Sequence, residues 1–447
     1  MNRELGTLSA FAHQIIPGIV TAHHTLTQLS RFRTQIVEDP SGISAQAWDA
    51  LLARQSVPTP FMRHAYLNAM HASGSAVPAN GWTPRFLLLW DGEELAAACP
   101  LYLKSHSYGE YVFDWAWANA YAEHGLRYYP KALVGVPFTP VPGSRLLARD
   151  PAAREALVRE LIKWCSDSQL SSLHILFGDH ADLAACRAAG LMQRHQVQFH
   201  WNNTSAAIAS GVSPAPAQQE QPAVQPFCDF EGFLASLTQE KRKKIRQEKR
   251  KVREAGVTFR WARGADISEA DWAFFYRCYE RTYLEHGNAP YLSPEFFKSM
   301  ADSMPENWVL FVAEHAGRPI AASLIAVSAS ACGGAQEGAQ PLVAYGRYWG
   351  ALARVDSLHF EACYYQPIEW CIAHGVARFE GGAQGEHKMA RALMPVRTHS
   401  AHWLAHPAFS DAVERFLARE GEGVEQYLEH LESRSPYRRH APNNTLR

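Results

Sequence analysis

The chain has 447 residues, more than one compact hydrophobic core usually holds, which indicates two or three domains. Its 43 basic and 44 acidic residues nearly cancel, and this balance excludes a general binder of nucleic acids or acidic surfaces. The eight cysteines contain no C-x-x-C pair, so the sequence predicts free thiols in a reducing compartment rather than disulfides or a zinc module.

Residues 1–35 are predicted to be an N-terminal extension without a defined fold. The run from Leu5 to Ser30 carries no Asp, Glu, Lys or Arg, but polar residues such as His13 and Gln14 interrupt it. It lacks the basic start of a signal peptide and the eighteen consecutive apolar residues of a membrane span. We therefore expect a soluble, cytoplasmic protein.

Residues 36–202 are predicted to form a first domain with mixed α/β structure. Apolar runs on both sides of a short turn predict a β-hairpin over residues 85–103. The aromatic-rich stretch from Tyr108 to Ala118 predicts a further strand. Helical spacing then predicts a helix from Pro151 to about Ser166, followed by a buried strand from Leu173 to Phe177.

Residues 203–226 are rich in Ala, Ser, Gln and Pro, and we interpret them as a flexible linker. Residues 227–407 then repeat the order of the first domain. A hairpin from Trp308 to Val327 is followed by a strand from Leu342 to Trp349, a helix, and a strand from Val376 to Phe379. The repeated order predicts an internal duplication, with chance similarity of two α/β domains as the alternative.

The C-terminal part, residues 408–434, has helical spacing that is broken by Gly421 and Gly423. This pattern predicts a helical hairpin that packs on the second domain. Residues 435–447 are a polar tail.

A strongly basic helix is predicted over residues 234–254. Between Glu240 and Glu254 there are nine Lys or Arg residues against three Glu, and the apolar stripe is only one residue wide. Lys243, Lys244 and Arg246 are therefore candidates for binding a phosphate-bearing partner such as tRNA. A solvated helix without a partner is the alternative.

A glycine-rich stretch from Phe379 to Arg391 delivers many polar groups directly after a buried strand. Its glycines permit close approach of the backbone to a ligand, which suits a loop around a substrate. The polar candidates are Gln384, Glu386, His387, Lys388 and Arg391, with Gly385 among them. An ordinary glycine-rich turn with solvated charges is the alternative.

Further polar candidates lie in loops of the first half and precede the helix at Pro151. These are Glu110, Asp114, Tyr129, Lys131 and Arg145. Arg145 follows a proline-stiffened loop near a helix start, a setting that suits an anion. His399, His402 and His406 lack an acidic partner at metal-ligand spacing, so no metal site is expected.

Several motifs resemble one bacterial family, the peptidoglycan biosynthesis/recognition proteins of the Fem-like branch of the GNAT acyltransferase superfamily. The motifs are Tyr108-Gly-Glu-Tyr-Val-Phe-Asp114, Tyr128-Tyr-Pro-Lys131, Pro137-Phe-Thr-Pro140, Lys241 to Arg250, and Gly382-Ala-Gln-Gly-Glu-His-Lys388. The resemblance implies two tandem GNAT-like domains and transfer of an acyl or aminoacyl group to an amine, for example in a cell-wall precursor peptide.

This chemistry suggests roles for the candidates. Glu386 or His387 would accept a proton, and Lys388 and Arg391 would stabilise negative charge. Gln384 and Gly385 would position substrate, while Arg145 and Lys131, with Tyr129, Glu110 and Asp114, would contact substrate from the first domain.

The donor is left open between aminoacyl-tRNA and acyl-CoA, with no tightly bound cofactor expected. The pyrophosphate motif of single-domain GNAT enzymes is absent at Tyr348 to Ser357 and at Pro137 to Arg145, and Ala392 follows Arg391 where the family commonly has glycine. Two rival hypotheses are a peptide or amino-acid recognition protein without turnover, and a tRNA-binding accessory protein. Neither hypothesis requires DNA as a partner.

Overall fold

The structure, a computed structural model, describes residues 31–204, 225–328, 341–383 and 385–438. Most of the predicted N-terminal extension, most of the predicted linker and tail, and the whole of Gln384 therefore lie outside the described residues.

The strands of the described residues are numbered in chain order. They are β1 Arg33–Val37, β2 Trp82–Pro84, β3 Phe86–Asp91, β4 Glu94–Cys99, β5 Leu101–Lys104, β6 Lys131–Val134, β7 Leu147–Ala148, β8 Ser172–Leu176, β9 Met192–Asn202, β10 Val257–Arg263, β11 Trp308–His315, β12 Arg318–Val327, β13 Val343–Ala351, β14 Arg378–Ala383 and β15 Met394–Leu404.

The α-helices are numbered in the same way. They are α1 Ala45–Ala53, α2 His64–Ala72, α3 Trp115–Glu123, α4 Pro151–Asp167, α5 His180–Ala188, α6 Phe230–Ser236, α7 Gln239–Glu254, α8 Glu269–Glu285, α9 Pro294–Ser303, α10 Leu358–Phe360, α11 Gln366–Ala373 and α12 Pro407–Ser433. A π-helical turn, Glu361–Tyr365, joins α10 to α11, and a 3₁₀ turn covers Glu386–Arg391.

Eleven strands form one continuous sheet in the order β10-β11-β12-β13-β14-β9-β15-β8-β6-β5-β2. A smaller sheet has the order β1-β3-β4-β7. In each half, a helical connection links two parallel strands: β6 pairs with β8 across α4, and β13 pairs with β14 across α10 and α11. This arrangement confirms the mixed α/β fold and the predicted duplication.

The two halves exchange their last strands. β9 belongs to the first half but pairs with β14, whereas β15 belongs to the second half but pairs with β8. β9 and β15 also pair with each other, have the same length, and hold His200–Trp201 and His402–Trp403 at equivalent positions. The exchange closes both halves into one sheet, so neither half is complete without the other.

Aromatic packing also joins the halves. The Phe61 ring lies 5.3 Å from the Tyr345 ring, and the Tyr66 ring lies 5.4 Å from the Phe296 ring, both edge to face. All four side chains belong to one buried cluster that draws residues from both halves. Burial of such large rings dominates core energetics, so the halves are stabilised together.

The aromatic stretch predicted as a strand from Tyr108 to Ala118 is instead a loop followed by α3. Trp117 and Tyr121 are four residues apart, and both are buried on one face of this helix. The alanines between the aromatic residues favour a helix, and the four-residue spacing places Trp117 and Tyr121 on its buried face. Together these two features outweigh the preference of aromatic residues for strands.

The predicted C-terminal helical hairpin is wrong, because α12 is a single helix that continues through Gly421 and Gly423. It lies across β9 and β15, where Arg194 forms two hydrogen bonds of 2.7 Å with Glu420. The N-terminal part of α12 packs on residues such as Trp117. The C-terminal part of α12 packs against the hydrophobic core of the second half of the chain. Glycine costs about 1 kcal/mol in a helix interior, which tertiary packing easily outweighs.

Candidate functional site

The most distinctive feature of the second half is a gap between β13 and β14. These strands run side by side only from Val343–Tyr345 and Arg378–Glu380, after which they separate. Each strand also carries a β-bulge at the point of separation. Bulges redirect side chains and are common beside active sites, so the gap is the first place to seek a ligand site.

The two bulges place glycine and arginine at the gap. In β13, Arg347 is the extra residue, since neighbouring residues of β12 pair with Gly346 and Tyr348. In β14, the bulge contains Gly381 and Gly382, and the latter has φ +80°. Beyond these bulges, β13 and β14 no longer form the regular strand pairing seen in the rest of the sheet.

Two cavities adjoin the gap and share Gly346, Arg347, Tyr348 and Gly381 as walls. The first, here called the aromatic cavity, has a volume of about 220 Å³. Its lining includes Tyr111, Phe138, Tyr279, Tyr283, Tyr291 and Tyr348. The second, here called the lysine cavity, has a volume of about 260 Å³. Its lining includes His359, Cys363, Tyr364, His387 and Lys388. Two reactants held in these cavities would meet at the shared walls.

Lys388 is the principal cation of the lysine cavity. It is only 4 % exposed, and its Nζ donates a 2.9 Å hydrogen bond to the carbonyl oxygen of Gly382. Burial lowers the pKa of Lys388 to about 8, because an ammonium loses hydration inside the protein. Near neutral pH this side chain can therefore stabilise negative charge or exchange a proton.

Two histidines accompany Lys388. His387 Nε2 lies 3.2 Å from the hydroxyl of Tyr364, and burial together with Lys388 and Arg391 lowers the pKa of His387. Burial lowers the pKa of His359 to about 4. Both imidazoles are therefore neutral near pH 7 and have a nitrogen that can accept a proton.

Arg391 lies behind the cavity rather than in it. Its Nη2 forms a 2.7 Å ion pair with Glu248, and its Nη1 donates a 2.9 Å hydrogen bond to the carbonyl oxygen of His387. The guanidinium carbon is also 3.5 Å from the centre of the Phe360 ring. These contacts fix the loop that carries Lys388. The stabilisation of an oxyanion by Arg391 stays a prediction.

Glu386 faces away from both cavities. Its Oε1 accepts a 2.7 Å hydrogen bond from the Tyr427 hydroxyl on α12, and Arg434 lies 3.8 Å from its other oxygen. Gly385 has φ +106°, and a Cβ on it would lie 2.5 Å from the His387 ring. Of the predicted catalytic residues, the structure thus brings His387 and Lys388 to the gap but not Glu386.

The structure does not bring the first-half candidates Glu110, Asp114 and Lys131 to the gap. Lys131 is fully buried and forms ion pairs with Glu110, at 2.8 Å, and with Asp114. Burial raises the pKa of Glu110 to about 7; for Asp114, burial opposes ionisation but the Lys131 ammonium outweighs it and lowers the pKa. Tyr129 lies beside this cluster, hydrogen-bonded to Ser107 at 2.9 Å.

Arg145 is likewise an internal residue. It is 1 % exposed, its Nε donates a 3.1 Å hydrogen bond to the carbonyl oxygen of Leu176, and its Nη2 donates to that of Val141. Leu176 ends β8, the first-half counterpart of β14. The guanidinium is therefore engaged by backbone carbonyl oxygens at the end of β8.

The basic residues predicted to bind an anion lie on α7, on the outer side of the second half. Lys243, Lys244 and Arg246 are exposed, and Arg246 pairs with Glu231 at 2.5 Å. A groove of about 1110 Å³ runs along this helix and is lined by Arg242, Lys243, Arg246, Arg250 and Arg253 among others. On the opposite face of the same helix, Glu248 contacts Arg391.

Several residues at the gap were not identified from the sequence. They are Tyr111, Tyr279, Tyr283, Tyr291, Arg347, Tyr348 and Glu380. Arg347 is the charged residue within the strand predicted from Leu342 to Trp349, and a charge in a strand that is otherwise largely apolar was a usable signal. Glu380 is 3 % exposed, and burial raises its pKa to about 7 beside His200 and Arg378.

The three spaced histidines do not converge. His402 Nδ1 lies 2.7 Å from His174 Nδ1, and His399 Nδ1 lies 2.9 Å from His195 Nδ1, at separate places in the sheet. In the part of the chain that the structure describes, no three His, Cys, Asp or Glu residues are grouped to hold a metal ion. Nor does any helix within the same residues have the length and apolar character to cross a membrane.

Comparison with known proteins gives a family. Residues 39–439 match the family described as FemAB-like, peptidoglycan biosynthesis/recognition, which confirms the resemblance drawn from the motifs. No curated protein matches the sequence.

Solved structures with similar folds share little sequence with this chain. FemX has 10 % identity and a TM-score of 0.49, with 86 % of this chain and 100 % of FemX covered. L-PGS from Bacillus licheniformis has 10 % identity and a TM-score of 0.47, with 86 % and 99 % covered. A tandem GNAT protein from the clavulanic acid biosynthesis pathway has 12 % identity and a TM-score of 0.38, with 84 % and 99 % covered.

Proposed function

Because the chain belongs to the FemAB-like family of peptidoglycan biosynthesis and recognition proteins, we propose that it transfers an activated acyl or aminoacyl group to an amine. The amine would belong to a peptide or amino acid, with a cell-wall precursor peptide as the candidate that the family description suggests. The observation that carries the proposal is the pair of cavities meeting at the gap, with buried Lys388 on one side.

The reaction would proceed by direct attack across the gap. The donor carbonyl would lie in the lysine cavity and the acceptor amine in the aromatic cavity. The amine nitrogen bonds to the carbonyl carbon, and the resulting oxyanion is stabilised by the Lys388 ammonium. Collapse expels the alcohol or thiol of the donor, and the proton lost by the amine passes to this leaving group.

A proton carrier is available beside the oxyanion site. His387 is neutral near pH 7 and is hydrogen-bonded to Tyr364, so it can accept the proton of the amine and return it to the leaving group. Lys388 remains protonated for most molecules below about pH 8. This division of roles leaves oxyanion stabilisation to Lys388 and proton transfer to His387.

The donor would be polyanionic. The cationic groove along α7 supports aminoacyl-tRNA, since a row of exposed Lys and Arg residues attracts a phosphate backbone. Acyl-CoA, which also carries phosphates, is the alternative donor. The small volume of the lysine cavity means that only the acyl end of either donor would enter it.

Transfer is tested by incubating the full chain with aminoacyl-tRNA or acyl-CoA and a panel of peptide amines, and by following acceptor mass. We expect one acceptor to gain the mass of the acyl group, and the Lys388→Ala variant to abolish this gain while retaining its melting temperature. Binding of donor and acceptor without any mass gain would instead indicate a recognition protein. Full activity of Lys388→Ala would remove the proposed role of Lys388.

A further inference from the structure

Arg347 differs from most other internal arginines because no carboxylate of the described residues forms an ion pair with it. Arg391, Arg194 and Arg149 each pair with a carboxylate, and Arg145 donates to three carbonyl oxygens. Among the described residues, Arg347 forms no ion pair with a carboxylate within 4.0 Å. The nearby Glu380 carboxylate pairs with Arg378 at 2.9 Å and attracts Arg347 only from a longer distance. A guanidinium at the wall of a cavity without a counter-ion indicates that a ligand supplies the anion.

The contacts of Arg347 leave its Nε–H without a hydrogen-bond partner among the described residues. Nη2 donates a 2.9 Å hydrogen bond to the carbonyl oxygen of Phe138 and lies 3.4 Å from Thr139 Oγ1. Nε is buried and has no hydrogen-bond partner among the described residues. The guanidinium carbon lies 5.2 Å from the centres of the Phe61 and Tyr348 rings. These rings hold the group in place but do not satisfy Nε.

The bulge in β13 explains why Arg347 reaches the gap. Side chains alternate between the two faces of a regular strand, and an extra residue interrupts that alternation. Arg347 is this extra residue, and both it and Tyr348 line the aromatic cavity. Its charge is therefore held at the point where the two cavities meet.

The surroundings select the kind of anion. The aromatic cavity has a volume of about 220 Å³ and holds a single cation among tyrosine and phenylalanine rings. A phosphate carries nearly two charges and would be poorly matched by one guanidinium, and a nucleotide exceeds this volume. A carboxylate carries one charge and is planar, so its two oxygens can accept hydrogen bonds from the unpaired Nε–H and from a neighbouring N–H of the same guanidinium.

We propose that Arg347 binds a carboxylate of the amine acceptor, so that the acceptor is an amino acid or a short peptide with a free carboxyl group. This inference rests on the proposed transferase function and names the acceptor class of the same site. The carboxylate would lie against Arg347 while the amine of the same molecule reaches the walls shared with the lysine cavity. Apolar parts of the acceptor would pack on the surrounding tyrosines.

The test compares two acceptors that differ only in the carboxyl group. Alanyl-alanine and its C-terminal amide carry the same α-amine, and their binding to the full chain is measured by isothermal titration calorimetry. We expect the acid to bind at least about tenfold more tightly than the amide, because a charge-assisted bidentate pair is lost in the amide. Equal affinities, or no binding of the acid at about 10 mM, would overturn the proposal.

Variants identify the residue responsible. In Arg347→Gln the acid and the amide should bind with about equal affinity. Arg347→Lys keeps the charge and should retain part of the preference for the acid. Arg354→Gln, at an exposed position beyond β13, is the matched control and should leave the preference unchanged. A preference that survives in Arg347→Gln contradicts the proposal. If that variant fails to fold, the Arg347→Lys variant decides: an unreduced preference there contradicts the assignment.

The transfer reaction separates this inference from the function on which it rests. Equal transfer to the acid and to the amide would leave the transferase function standing and remove the carboxylate site. Selective binding of the acid without transfer from any donor would leave the carboxylate site standing and remove the transferase function.

Discussion

Glu248 and Arg391 form a buried ion pair, with 2.7 Å between Glu248 Oε1 and Arg391 Nη2, that joins the basic helix α7 to the loop carrying Lys388. The other carboxylate oxygen of Glu248 accepts a hydrogen bond from the Tyr365 hydroxyl. The helix α7 thus carries basic residues on its exposed side and holds the loop at the gap on its buried side. A partner bound to α7 would therefore be held at a fixed position relative to Lys388.

Removing one member of this pair should be costly. Arg391→Met leaves the Glu248 carboxylate buried without its cation, and we expect the free energy of unfolding to fall by about 3–5 kcal/mol. The Glu248→Gln and Arg391→Met double variant should lose less than the sum of the single variants, because each single variant leaves one buried charge unpaired whereas the double variant leaves none. Urea denaturation measures both quantities. Strictly additive losses would show that the pair is not energetically coupled.

The role proposed for Lys388 predicts the pH dependence of transfer. If the ammonium stabilises the oxyanion, kcat/KM falls as pH rises through the pKa of about 8. Lys388→Arg keeps a charge at all these pH values, so its residual activity should not show this fall. Steady-state kinetics with a saturating donor provide the measurement. A rate that instead rises through about pH 8 in the wild type, but not in Lys388→Arg, would assign the neutral amine, and therefore a general base, to Lys388.

Glu380 predicts a pH dependence of stability. Burial raises its folded pKa from 4.5 to about 7, so between these values the folded state holds a proton that the unfolded state has lost. The free energy of unfolding is therefore highest, as far as Glu380 is concerned, below about pH 4.5, and it falls as pH rises towards about 7. Glu380→Gln removes the effect and should be more stable relative to wild type at about pH 8 than at about pH 5, by roughly 1–3 kcal/mol. Glu155→Gln, exposed on α4, should show no such change.

The exposed face of α7 predicts salt-dependent binding of a polyanionic donor. The Lys243→Ala and Lys244→Ala double variant should bind tRNA more weakly and reduce the slope of log K against log salt by about 1–2. Fluorescence anisotropy over a range of potassium chloride concentrations measures the slope. Lys163→Ala, which removes a distant surface charge on α4, is the control. An unchanged slope in the double variant would place the anion site elsewhere.

The continuous helix α12 predicts a stabilising substitution. Gly421 lies in its interior, and a Cβ there would meet no atom within 4 Å. Gly421→Ala should therefore raise the free energy of unfolding by about 0.5–1 kcal/mol, because alanine favours the helix. Gly350→Ala is the opposite case, since its Cβ would lie 1.8 Å from the carbonyl oxygen of Cys278. Thermal or chemical unfolding of both variants gives the comparison, and destabilisation by Gly421→Ala would favour a turn at this position.

Much of the fold follows from local sequence. Apolar runs on both sides of a short turn predict the hairpin of β3 and β4, and the same pattern recurs at β11 and β12. Pro151 after a capping Asp150 marks the start of α4. Because these signals lie within about ten residues of one another, they are readable without knowledge of the tertiary structure. The duplication followed from the order in which such signals recur.

The site was readable only in part. Glycine spacing marked the loop with His387 and Lys388, since glycines and polar groups after a buried strand are a local pattern. The same loop also offered Glu386 and Arg391, and the sequence held nothing to show that one faces α12 and the other faces Glu248. Which way a side chain points depends on elements far away in the chain, and these partners are 41 and 143 residues distant.

The sequence by itself determined the two α/β halves, their order of elements apart from α3 and α12, the family, and the loop that carries Lys388. The tertiary structure alone decided that the halves exchange β9 and β15, that backbone carbonyl oxygens engage Arg145, and that Arg347 stands at the gap with no ion pair to any carboxylate of the described residues. The physical reason is that strand pairing, bulges and charge compensation are set by contacts between distant segments. Hydrophobic periodicity records only which face of a segment is buried, and not which segment buries it.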